Sequence, residues 1–106
     1  MTASIDQTPQ NITVVEGENL ALSAVVGGEP LPHVYWEKDN SAILTGLGAS
    51  AMIQEHTHSI LIPNSMSEDS GSYKVTAENF LGEDSSIIHV DVQGNFAAIN
   101  ADRINL

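Results

Sequence analysis

Apolar and polar residues alternate with a period of two along most of the chain. In "NLALSAVV" the alternation sets Leu20, Leu22, Ala24 and Val26 on one side, the pattern of a half-buried strand. "SYKVTAE" does the same with Tyr73, Val75 and Ala77, and "SSIIHVDV" with Ile88, Val90 and Val92. "HVYWEK" puts Val34 and Trp36 on a shared face, and "SILIP" points Ile60 and Ile62 inward before Pro63 ends the run. "NITVVEG" predicts a further strand closing at a Glu-Gly turn, and residues 50–56 a short edge strand. "GGEPLP", "KDNSA", "NSMSEDSG" and "NFLGED" separate these runs. Two glycines with two prolines cannot continue a ladder. No segment holds a 3.6-residue period for a useful length. Seven or eight short strands divided by turn signals predict an all-β sandwich of two packed sheets.

The chain of 106 residues is expected to hold one domain, over residues 1–92. Its hydrophobic fraction of 42% suits a folded core. "QGNFAAINADRINL", residues 93–106, falls outside the alternation. Its Phe96, Ile99, Ile104 and Leu106 fit a linker, the start of a next module or a docked tail, with the linker expected.

Charge narrows the function. Fourteen acids face three bases, Lys38, Lys74 and Arg103, for a net charge of -11. Nucleic acid requires a cationic footprint, and the chain has none. Anionic membranes are disfavoured on the same ground, and no stretch approaches the roughly 20 apolar residues of a membrane span. Met1–Gln10 lacks the basic start and apolar run of a secretory signal. Cysteine is absent. That is ordinary in the cytosol, where disulfides do not persist, and also occurs in bacterial surface proteins.

The spacings resemble a family. Leu22-x-Ala24-x-Val26-x-Gly28-x-Pro30-x-Pro32-x-Val34-x-Trp36 is similar to the B–C region of immunoglobulin domains of the intermediate (I) set. Ile60-x-Ile62 resembles strand E, Asp69-x-Gly71-x-Tyr73 the corner before strand F, and Ala77-x-Asn79-x-x-Gly82 the F–G hairpin. The resemblance covers roughly residues 5–92 and implies an immunoglobulin-like β-sandwich with Greek-key connections. It implies that Trp36 lies between the sheets and that the Tyr73 hydroxyl bonds main chain a few residues upstream. Gly71 admits a close approach of chain, and Asp69 accepts from loop backbone. The family's cysteines of strands B and F are replaced by Ala24 and Val75. A bridge there would close a loop of about 50 residues, and its absence removes roughly 2–5 kcal/mol. Two small apolar side chains then refill part of the gap beside Trp36. A designed removal of a cysteine pair would leave the same two residues.

Catalytic patterns are lacking: no Gly-x-Ser-x-Gly, no His-Glu-x-x-His and no glycine-rich phosphate loop. The expectation is no enzyme, no cofactor and no metal. His56 and His58 stand two apart, the spacing of two ligands on a strand, and are read as solvent-facing polar residues of the edge strand. Glu16, Glu18, Glu68 and Asp69 are expected to gather at one end of the sandwich without the oxygen array that calcium needs. Asn11-Ile12-Thr13 is a glycosylation sequon by pattern. Since modules of this kind occur in titin, twitchin and obscurin, the resemblance implies a structural, protein-binding unit of a cytoskeletal or sarcomeric protein in the cytoplasm. The alternative is an extracellular adhesion or receptor domain. Partners are expected to be proteins, including neighbouring immunoglobulin modules. The expected contact edge is strand G, with Ser85, Ile87, His89 and Asp91.

Overall fold

A computed structural model describes residues 1–43 and 49–94. Among these described residues, nine strands form two sheets. One is four-stranded, in the order β1 (Ser4–Gln7), β3 (Leu20–Gly27), β7 (Thr57–Ile62), β6 (Ser50–Gln54). The other is five-stranded, in the order β2 (Asn11–Val15), β9 (Gly82–Gln93), β8 (Gly71–Asn79), β4 (His33–Lys38), β5 (Ser41–Ala42). All pairings are antiparallel except β2 with β9.

Period-two burial is clearest where one face of a strand meets the other sheet. β3 buries Leu20, Leu22, Ala24 and Val26 and exposes or half-exposes the residues between them. β8 buries Tyr73, Val75 and Ala77, and β9 buries Ile88, Val90 and Val92. These residues, Ile60 and Trp36 belong to one core cluster.

Two elements differ from the sequence reading. β1 has no predicted counterpart, because four residues with one apolar side chain carry no period. It pairs with β3 through a bulge between Ile5 and Gln7. Part of "KDNSA" is a strand as well as a turn. Asp39 and Asn40 both take positive φ, 49° and 71°. That is the backbone of a two-residue hairpin, and it lets Ser41–Ala42 pair with Glu37 and Lys38.

The amide of Asn79 gathers the N-terminal segment, which also exchanges backbone hydrogen bonds between Met1 and Glu29. Asn79 Nδ2 donates to the Met1 carbonyl at 2.9 Å and to the Pro30 carbonyl at 3.2 Å. Its Oδ1 accepts from the N–H groups of Ala3 and Leu81. A single side chain thus joins the N-terminus, the loop before β4 and the β8–β9 hairpin. The segment expected to be a linker falls, from residue 95 on, outside the described residues.

Candidate functional site

Ala24 and Val75 occupy the interior at 1% and 0% exposure. Trp36 stands directly across the β4–β8 pair from Val75 and is 8% exposed. The large indole fills space between the sheets, while the two small side chains leave room for it.

Below this lies the corner that starts β8. A 3-10 turn over Ser67–Asp69 brings the chain round. The Tyr73 hydroxyl donates to the Asp69 carbonyl at 2.6 Å. Burial first, then the carboxylates of Asp69 and Asp39, hold the phenol far above its ordinary pKa, so it stays a neutral donor. The Asp69 carboxylate accepts from the Met66 N–H at 2.8 Å, closing the turn on itself. Gly71 has φ of 152°, and a Cβ there would lie 2.6 Å from Asp39 Oδ2. Asp39 in turn accepts from the Ser72 N–H at 3.0 Å. The glycine is therefore a requirement of close approach.

The expected contact strand is less open than its sequence position suggests. β2 runs beside β9 from His89 to Gln93, and the His89 N–H donates to the Gln10 carbonyl at 2.9 Å. Backbone groups alternate along a strand, so Ser85, Ile87, His89 and Asp91 all turn theirs towards this side. His89 and Asp91 are covered by β2. The Ser85 N–H is taken by Asp84 Oδ1, and Asp84 Oδ2 accepts from Ile5 at 2.8 Å. An inward-pointing carboxylate therefore blunts the remaining edge. Of the four residues, Ile87 alone has no strand or capping carboxylate on that side among the described residues. The side chains of all four share the outer face of the five-stranded sheet, where Ile87 is 50% exposed. Ser72 Oγ lies 3.4 Å from His89 Nδ1.

The histidine pair does not sit on an edge strand. His56 lies in the β6–β7 turn, where its carbonyl accepts from the Val26 N–H. His58 belongs to β7, an internal strand, on the side that carries Ile60. Partial burial lowers its pKa. Two of the four acids are spent on backbone: Glu18 accepts from Val15, as Asp69 does from Met66. The loops holding them are adjacent, joined by Gly17 N–H to Ser65 O and Ser65 N–H to Glu18 O. Among the described residues, no three histidine, aspartate or glutamate side chains gather in a way that could hold an ion.

A tryptophan between two sheets and a tyrosine bonded back across its corner are immunoglobulin features. The immunoglobulin I-set domain pattern matches residues 3–92. The chain belongs to the immunoglobulin I-set family. The domain is 31% identical over 75 residues to smooth-muscle myosin light chain kinase of Gallus gallus, covering 71% of this chain and 4% of that protein. It is 37% identical over 81 residues to neural cell adhesion molecule L1-like protein of Mus musculus, covering 76% of this chain and 6% of the relative. The chain thus spans a small fraction of these relatives. A chain from the titin M10–obscurin-like 1 immunoglobulin complex superposes with TM-score 0.83 at 29% identity, over 88% of this chain and 95% of that one. I-set domains of this kind occur in muscle proteins and in adhesion proteins alike.

Alternation, with the resemblance to immunoglobulin domains, marks Trp36, Tyr73, Ala24 and Val75. It does not mark Asp84. The one available signal is an acid on the inward phase of a strand, the phase of Ile88, Val90 and Val92.

Proposed function

We propose that this I-set domain is a non-catalytic structural and protein-binding module of a larger, filament-associated protein inside the cell. One observation carries the reading. Ala24 and Val75 are both buried in the core cluster that holds Trp36, so the interior closes without a covalent link. Such a core suits a reducing compartment, where a bridge would not persist. The likeness to a muscle kinase and to a chain of a titin–obscurin-like complex supports the same setting. The contact is the outer face of the five-stranded sheet, where Ser85, Ile87, His89 and Asp91 share one side and Ile87 supplies the exposed apolar centre. In an affinity capture from muscle extract, Ile87→Asp is expected to reduce partner recovery about tenfold. Capture unchanged by Ile87→Asp would remove this face from the function.

A second reading, an extracellular adhesion module, draws support from the L1-like relative and from the exposed Asn11 of the Asn11-Ile12-Thr13 sequon. Glycosidase treatment of the native protein separates the two. An unchanged mass is expected, whereas loss of one glycan would place the chain in the secretory route and overturn the intracellular reading.

A further inference from the structure

β6 is the outermost strand of the four-stranded sheet, and among the described residues it pairs only with β7. All five of its residues, Ser50–Gln54, are exposed. None is charged, although the chain carries -11. Proteins usually blunt such an edge with charge, proline, a bulge or cover. The stretch of β9 that runs beyond β2 does so with Asp84. β6 has none of these among the described residues, and it presents Met52 at 64% and Ile53 at 68% exposure.

We infer that β6 is a self-association edge, pairing antiparallel with β6 of a second copy of this chain about a two-fold axis through Met52. Three features make the strand complementary to itself. The first is hydrogen bonding. The two-residue β6–β7 turn makes Gln54 and Thr57 the closing pair, so Ser50, Met52 and Gln54 bond β7 and the backbone groups of Ala51 and Ile53 turn outward. Pairing centred on Met52 sets Ala51 against Ile53 of the second copy, twice over, and uses every outward group of both. The second is shape. Ala51 lines a cleft of about 560 Å³ between the sheets, with Trp36, Ile43 and Ile60 among its walls. Ala51 and Ile53 both face this inner side, since they pair with Ile60 and His58. Each copy's exposed Ile53 would therefore stand at the mouth of the other's cleft. The third is charge. In this register Glu55 falls opposite Ala49, so no carboxylate meets a carboxylate.

A single edge join buries less than the roughly 1,200 Å² of a standard interface, so the dimer is weak and concentration-dependent. Two chains of charge -11 also repel, so salt tightens it. Sedimentation from roughly 10 µM to 1 mM should show mass rising with concentration, more steeply in about 0.5 M salt. Ile53→Lys is expected to move this rise to about tenfold higher concentration, and Phe80→Lys, at a position 82% exposed in the β8–β9 turn, to leave it in place. Both positions are exposed, and an unchanged unfolding midpoint verifies the fold of each variant. Because the chain has no cysteine, single-cysteine variants give an independent readout. Met52→Cys would meet its own counterpart across the axis, and should oxidise to a dimer about tenfold faster than Phe80→Cys. A chain that stays monomeric with equal oxidation rates overturns the inference. So does a dimer that Phe80→Lys breaks and Ile53→Lys spares. A monomer whose Ile53 resonances shift only on adding a lysine-rich extended peptide would assign the edge to a foreign strand, and also overturns it.

Discussion

The two sheets share one interior and differ on the outside. Facing inward, the four-stranded sheet supplies Leu20, Leu22 and Ile60, and the five-stranded sheet Tyr73, Val75 and Ile88, all buried to within 1%. Facing outward, strands β4, β8 and β9 carry Glu37, Lys74, Glu78, Glu83 and Asp91. The outer residues of β3, β7 and β6 include Ala21, Ser23, Met52, Thr57, Ser59 and Leu61, with no charge among those three strands. The difference shows that the core constrains both sheets alike, while each outer face is free to specialise. In a chain with 14 acids against 3 bases, three adjacent strands without charge are a departure from the average; Asp6 of β1 lies at the far side of this sheet, and the uncharged part runs to β6.

Interior substitutions test the symmetric half of this comparison and have the largest expected effect. Leu22→Ala and Ile88→Ala should each cost about 2–5 kcal/mol in urea unfolding. A cost confined to one of them would mean that a single sheet, and not the shared interior, sets stability. Linking the sheets comes next. Ala24→Cys with Val75→Cys, oxidised, should stabilise by about 2–4 kcal/mol and lose the gain under reductant. No gain would mean that the Ala24–Val75 gap no longer has the geometry of a bridge.

Smaller effects probe what belongs to one sheet only. Tyr73→Phe removes the bond to the Asp69 carbonyl, on the five-stranded side, and should cost about 1 kcal/mol with the fold unchanged. Indifference to that change would show that packing alone holds the corner. On the four-stranded side the sensitive group is His58. Its folded pKa lies below the unfolded value of 6.5. The unfolded chain therefore binds a proton before the folded one does. Stability is complete above 6.5 and declines as pH falls from there towards the folded value. His58→Gln should flatten this slope, as read from unfolding midpoints between pH 7 and pH 5.

Much of the interior was legible along the chain. A period of two forces alternate residues to opposite faces, so Leu22, Ala24, Tyr73 and Val75 declare their side without reference to the rest of the fold. The corner was legible through the family resemblance of Asp69-x-Gly71-x-Tyr73, three residues that act within one short turn. What failed was anything that depends on a distant neighbour. Strand G looked open because β2, which covers His89–Gln93, lies some 80 residues earlier in sequence. The two-residue spacing of His56 and His58 suits an exposed edge, and only pairing with both β3 and β6 makes β7 internal.

The sequence by itself determined which side of each strand meets the core, because hydrophobic alternation is a local property that tertiary contacts must obey. It also determined that no covalent link joins the sheets, because no cysteine is present. Only the tertiary structure decided which edges are closed. An edge is closed by partners brought from elsewhere in the chain, as Ile5 is brought to Asp84 and Asn11 to His89, and no local pattern records that β6 pairs only with β7 among the described residues.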